Sequence, residues 1–231
     1  MSVAILYPGE GSVRAGMAAA LHATDRPVLD RHLRLATDVT GLPVRRLCLE
    51  GSAEQLARPD VGQPALFALC LALTEVAREQ GLEPAMAAGR GLGELAAAVA
   101  AGALDAADGM RLVALRSRVR GYDGGAAALA RRAAAMVWRP AAIPVALNAF
   151  GGLVTEPEAI RSGLVAPNGA GSWHDCLHAL AAAGASGFLE LGPAAAPPRT
   201  LAGEWPAAVA SSRAEIAAFA QLRERRLSSA A

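Results

Sequence analysis

Charge imbalance, cysteine, histidine and long apolar runs are all scarce in this 231-residue chain, and each scarcity removes a class of function. The 22 basic and 21 acidic side chains leave a formal charge of +1, so no overall field draws the protein to nucleic acid or to an anionic membrane. The three cysteines, Cys48, Cys70 and Cys176, are odd in number and lack paired spacing, which suits a reducing compartment rather than a disulfide framework. Cys70, inside ALFALCLAL, is expected in the core. The longest apolar stretches, residues 65–73 and 95–104, fall short of the roughly 20 residues that a membrane-spanning helix requires. The start, MSVAILYPGE, has no basic segment before its apolar run, unlike a secretory leader, so a cytoplasmic protein is expected. Of the four histidines, His174 and His178 lie four apart and can share a helix face, as metal ligands do. No third ligand follows nearby, so neither a metal nor another cofactor is expected.

What the chain has in quantity is apolar surface: 53% of its residues are hydrophobic, enough for one sizeable core. A short apolar run, residues 3–7, is broken by Pro8 and Gly9, as a strand delivering a loop would be. Helical periodicity follows from Arg14, from Pro27 to Thr40, and from Gln63 to Glu79. A strand at 85–88 and a glycine-rich turn then lead into a helix at 94–101, and Asp105 is placed to cap the next, which runs to Arg120. Beyond a Gly- and Ala-rich connector come a strand at 143–147, helices at 156–164 and 173–183, strands at 187–190 and 207–210, and a terminal helix at 214–227. Strands alternating with helices predict an α/β layer with a largely parallel sheet.

The turn between the strand at 85–88 and its helix reads Gly89, Arg90, Gly91, Leu92, Gly93. In a strand-turn-helix built as G-x-S-x-G, the central serine projects from the top of the sheet and the helix N-terminus offers amides to an oxyanion. Here the centre is Gly91, which has no side chain to attack with, and Arg90 stays protonated and is no nucleophile. A dinucleotide-binding reading of GRGLG fails because Glu94 stands where G-x-G-x-x-G needs its third glycine. Cys176, between His174 and His178, is an unpromising substitute nucleophile, because residues two apart on a helix point to different faces.

Five separated stretches, in order and covering residues 4–193, resemble the malonyl-CoA:acyl-carrier-protein acyltransferases and the acyltransferase domains of polyketide and fatty-acid synthases. YPGEGSVRAGM resembles the family's FPGQGSQ-type loop, and VGQPALFALCLAL its QPALFA helix. AGRGLGELAAAVAAGALDAADGMRLVALRSR resembles the GHSLGE nucleophile stretch with its R-x-R helix, while IPVALNAFGGLVTEPEAIRSGLV and SWHDCLHALAAAGASGFLELGP resemble the closing segments. The resemblance implies an α/β-hydrolase-like large subdomain with an inserted ferredoxin-like small one. It implies transfer of a malonyl group from coenzyme A through serine to a carrier-protein thiol.

That machinery is degenerate here. The family's serine and preceding histidine fall on Gly91 and Arg90, and its oxyanion glutamine falls on Glu10, whose carboxylate would repel a developing negative charge. No histidine lies between Gly91 and IPVALN, where the family's general base belongs. Only residues 126–142 occupy the place of the inserted subdomain, whose four strands of about five residues and two helices of about eleven need far more chain. The expected organisation is therefore large subdomain 1–125, short connector 126–142 replacing a deleted small subdomain, and large subdomain 143–231. Arg116 matches the family's malonyl-carboxylate arginine, leaving Arg116, the Leu92 amide and Arg90 as candidate substrate-binding groups and no catalytic residue.

Glu10 with Arg90 or Arg116 is expected to form an internal ion pair that closes the former pocket. The competing use of these residues is a site that holds malonyl-CoA without turning it over. The basic run Arg131, Arg132 and Arg139 near Trp138 is a candidate surface for an acidic carrier protein, or simply a solvated connector. The resulting expectation is a non-catalytic acyltransferase-like protein that binds a ketosynthase, an acyl carrier protein, another synthase subunit or a second copy of itself. The alternative is a divergent acyltransferase or thioesterase that uses the Leu92 amide and no serine.

Overall fold

The computed structural model describes residues 2–119, 123–166, 172–193 and 207–228. Strand β1 (Val3–Tyr7) is central in a six-stranded sheet of order β4-β3-β2-β1-β5-β6, with β2 at Met86–Gly89, β3 at Val145–Leu147, β4 at Gly152–Val154, β5 at Gly187–Leu191 and β6 at Ala207–Ala210. All neighbouring pairs are parallel except β3 with β4. Every residue of β1, β2 and β5 is buried, as expected of parallel strands covered on both faces. The pleat sends Val3, Ile5 and Tyr7 to one face and Ala4 and Leu6 to the other.

The first face carries α2 (Arg26–Thr40), α5 (Pro59–Glu79), α6 (Leu92–Ala100) and α7 (Ala106–Val119). At 21 residues, α5 is long and apolar enough to cross a membrane, but 89% of its apolar window is buried in the fold, so it is the core helix. It begins at Pro59 rather than at Gln63, because Pro59 suits the first helical position, and it carries Pro64 within. The Tyr7 hydroxyl donates to Thr74 Oγ1 (2.7 Å), which itself donates to the Cys70 carbonyl (2.8 Å), so both buried hydroxyls are satisfied. The opposite face is covered by α10 (Trp173–Ala182), whose Cys176, Leu177 and Leu180 pack on Ala4, Leu6 and Phe188.

The helix expected from Arg14 starts only at Ala19, as α1 (Ala19–Thr24); a short 3₁₀ turn at Glu10–Ser12 precedes it. Two helices were not read from the sequence, α3 (Val44–Glu50) and α4 (Ala53–Ala57), each too short to show a period. Asp105 caps as expected, its Oδ1 accepting from the Asp108 amide at 2.8 Å, while Arg120, the expected end of α7, lies outside the described residues. The helices α9 (Pro157–Val165) and α11 (Arg213–Ser228) match their expected spans within two residues.

Between α7 and β3 the described chain holds one helix, α8 (Gly125–Ala134), and no strand. The segment after it is tied down by the Arg139 amide to the Ala103 carbonyl (3.0 Å), the Ala142 amide to Ala101 (2.8 Å) and the Trp138 indole to Ala133 (2.8 Å). Loss of an inserted subdomain is expected to bare an apolar face. Instead, Ala133, Leu129, Met136 and Trp138 pack on the core, and among the described residues the exposed large hydrophobic side chains are Val137, Phe150 and Leu222.

Candidate functional site at the turn after β2

In register, Tyr7 pairs with Gly89 and Leu6 with Glu190, so the loops after β1, β2 and β5 leave the same edge of the sheet. In open α/β sheets that carboxyl edge is where ligands sit. The β2–α6 turn is built by close backbone approach. A Cβ on Gly89 would lie 2.0 Å from the Gly93 carbonyl carbon, and one on Gly93 would lie 2.4 Å from the Tyr7 carbonyl oxygen. Arg90 donates its amide to Tyr7 (3.0 Å) and Gly93 donates to Arg90 (2.8 Å), closing the turn. Gly91, at its apex, has φ +51° and ψ −104°, a conformation that costs glycine little and a side-chain-bearing residue more.

Glu10 fills the space above that apex. A Cβ on residue 91 would lie 2.7 Å from Glu10 Oε2 and 3.4 Å from Arg116 Nη2. The Leu92 amide, at the start of α6, donates to Oε2 at 3.4 Å, and Arg116, in the last turn of α7, brings Nη2 to 3.9 Å from Oε1. The carboxylate thus sits against the helix N-terminus, where negative charge is favoured, with a guanidinium beside it. Of the two ion pairs expected for Glu10, the structure forms the one with Arg116.

Arg90 turns the other way. Its guanidinium lies over the Trp173 ring, 5.6 Å from the centroid, and 3.9 Å from Glu190 Oε1. Glu190 is 1% exposed and neither of its oxygens has a hydrogen-bond partner. Burial pushes its carboxyl above the usual range, and Arg90 pulls it back in part. Beside the turn, Asn148 braces the scaffold: its amide donates to Glu94 Oε1 (2.8 Å) and its Nδ2 to the Gly89 carbonyl (3.0 Å). Burial raises the Glu94 carboxyl, an effect that Asn148 opposes. Glu190, Trp173 and Asn148 were not singled out from the sequence; each comes from a strand end or helix start whose register only the folded sheet reveals.

A cavity of about 430 Å³ adjoins Glu10, lined also by Val13, Leu56, Pro59, Gly62 and Gln63. Gln63 is 3% exposed, and its Oε1 has no hydrogen-bond partner. Cys176 is excluded as a nucleophile. It faces the sheet, its thiol donates to Asn148 Oδ1 at 3.6 Å, and burial pushes its pKa up to about 12. His174 and His178 instead face each other on the exposed side, Nε2 to Nε2 at 3.0 Å. No cluster of three or more potential metal ligands occurs among the described residues.

Arg131, Arg132 and Arg139 lie elsewhere. The segment after α8 bonds to the chain beyond the C-terminal end of α6 and then enters β3 at its amino end, which is the opposite edge of the sheet from Gly91. These arginines are not part of the crevice.

Comparison with known proteins agrees with the fold. The family model "Acyl transferase domain" matches residues 5–162. The malonyl CoA-acyl carrier protein transacylase of Haemophilus influenzae is 39% identical over 118 residues, half of this chain and 38% of that protein. The spectinabilin polyketide synthase system protein NorC of Streptomyces orinoci is 41% identical over 119 residues, again half of this chain but 5% of that much longer protein. The matched segment is thus well under half the length of either curated relative. Among solved structures, a malonyl-transacylase in complex with its type II polyketide synthase acyl-carrier protein superposes with a TM-score of 0.83 at 22% identity, covering 94% of this chain and 98% of that one. With more than half of its length matched by the family model, the chain belongs to the acyl transferase domain family.

Proposed function

We propose that this chain is a non-catalytic acyltransferase-like protein of polyketide or fatty-acid biosynthesis, which acts by binding a synthase component rather than by transferring an acyl group. One observation carries the reading: where a nucleophile would project from residue 91 there is a glycine, and the Glu10 carboxylate stands 2.7 Å from the point its Cβ would occupy. The Leu92 amide, which a serine-free transferase or thioesterase would need as an oxyanion donor, is turned toward that same carboxylate. No described histidine fills the general-base role, since His174 and His178 sit on the outer face of α10, and His22 and His32 belong to α1 and α2. Among the described residues α8 is the one helix between α7 and β3, which fits the same remodelling, with 1–125 and 143–231 forming the large subdomain.

The partner class is an acyl carrier protein, a ketosynthase, another synthase subunit or a second copy, in the cytoplasm. Carrier-protein binding is the form best supported, because a structurally similar transacylase is seen with its carrier protein. The test is capture from the native host followed by mass spectrometry. Recovery of a carrier protein or synthase subunit supports the reading, whereas a strictly monomeric protein that retains no such component contradicts it.

A further inference from the structure

The outer face of α10 carries two imidazoles that the crevice does not use. The inner face of that helix is fixed: Cys176, Leu177 and Leu180 are buried against the sheet, and the Ser172–Asp175 capping box sets its first turn, so the core dictates which side chains point outward. Residues four apart on a helix lie one above the other, and His174 and His178 are such a pair, both exposed. Their Nε2 atoms are 3.0 Å apart. The ring centroids are 4.2 Å apart, only 1.2 Å more than the nitrogens, and the rings are tilted by 52°. Rings joined head-on through a shared proton would hold their centroids two full ring radii beyond the nitrogens. The two nitrogens therefore converge on a point beside the line that joins them.

An ion bonded to both nitrogens at about 2.0–2.1 Å would span that 3.0 Å gap with an N–metal–N angle of about 91–97°. This is close to the right angle of tetragonal coordination, whereas tetrahedral coordination would set the nitrogens about 3.3–3.4 Å apart. Hydrogen bonds from Ser172 hold the Asp175 carboxyl below the usual range, and its charge acts on both histidines and offsets the positive end of α10. We infer that His174 and His178 form a two-point chelating site for a divalent transition-metal ion of tetragonal preference, Cu²⁺ or Ni²⁺, on the outer face of α10. Structural metal sites take four protein ligands and catalytic ones three, so a site with two holds its ion exchangeably and leaves its other positions to water. The lack of a third ligand nearby, which argues against a resident metal, is what makes this site labile. Its affinity comes from the second nitrogen being in place when the first has bound. The inference stands apart from the reading of the crevice.

The test is calorimetric titration of Cu²⁺ and of Ni²⁺ into the full chain, free of any histidine tag, as wild type, His174→Ala, His178→Ala and the double variant. His174→Gln and His178→Gln serve as second versions, and far-UV circular dichroism checks that each is folded. His22 and His32 remain in every variant, so the double variant reports what the rest of the chain binds. The expected result is one wild-type site at least tenfold tighter than any in either single variant, with the electron paramagnetic resonance of bound Cu²⁺ showing two imidazole nitrogens. Wild-type affinity no tighter than that of the double variant overturns the inference. So does a single variant that keeps wild-type affinity, or a spectrum with fewer than two imidazole nitrogens. None of these outcomes bears on the crevice, whose non-catalytic reading falls only on turnover by the wild-type chain.

Discussion

Restoring the missing serine is the sharpest perturbation of this turn, and its cost follows from the geometry. Gly91→Ser places a side-chain-bearing residue at φ +51°, ψ −104°, a strain worth about 1–3 kcal/mol. It also sets a Cβ 2.7 Å from Glu10 Oε2, so the carboxylate must leave, forfeiting a partly exposed ion pair with Arg116 worth up to about 1 kcal/mol. Together the loss is about 1–4 kcal/mol, and at about 2–4 °C per kcal/mol for a domain of this size the melting temperature drops by several degrees. A double-mutant cycle with Glu10→Ala separates the two parts. Removing Glu10 first abolishes the clash but not the backbone strain, so the cycle returns a favourable coupling of about 0.5 kcal/mol or more. The assay is urea unfolding of wild type, both single variants and the double variant. Stability of Gly91→Ser equal to wild type refutes the strain argument, and strict additivity in the cycle refutes the placement of Glu10.

Three further outcomes follow from the structure. Gly93→Ala drives a Cβ to 2.4 Å from the Tyr7 carbonyl, backbone against backbone, and is expected to cost about 3 kcal/mol or more by chemical denaturation, well above an Ala substitution at an exposed helix site. Cys176, with its pKa pushed up to about 12 by burial, stays a protonated thiol near neutrality, so native protein at pH 8 should label at this position only as fast as it unfolds, read by mass spectrometry after iodoacetamide. Asp30 accepts two bonds from Arg45, both 2.9 Å, which hold its carboxyl below the usual range. A depressed folded-state pKa means that this stabilisation is complete above the unfolded value near 4 and is lost as pH falls through the folded one, so Arg45→Ala should flatten the acid limb of a stability–pH profile.

How far the sequence could be read differs between scaffold and site, for physical reasons. Val3–Tyr7 announces itself because a strand buried on both faces is a continuous apolar run ending in Pro8 and Gly9. The elbow was equally legible, since its three glycines recur within a five-residue span, Gly89 meeting the Gly93 backbone locally, although Gly93 itself abuts the Tyr7 carbonyl of β1. By contrast, α3 and α4 have seven and five residues, too few for a helical period to emerge, and β4 is a three-residue antiparallel strand. The partner of Glu10 was left open between Arg90 and Arg116. That choice depends on Trp173 and Glu190, which lie more than 80 residues away and meet Arg90 only once β5 has paired with β1. The apolar face that a deleted subdomain would uncover is reduced, among the described residues, to the scattered side chains Val137, Phe150 and Leu222. An Ala-rich helix has side chains small enough to pack closely on neighbours, and α8 lies against both α7 and α9.

The most direct test of the account is turnover by the native chain: incubation with malonyl-CoA and a phosphopantetheinylated acyl carrier protein, followed by intact-protein mass spectrometry of both proteins. The account predicts no acylated form of the chain and no malonyl-carrier protein above the rate without it, for wild type and for Gly91→Ser alike. Transfer above background by the wild type, abolished by Arg116→Ala, would contradict it.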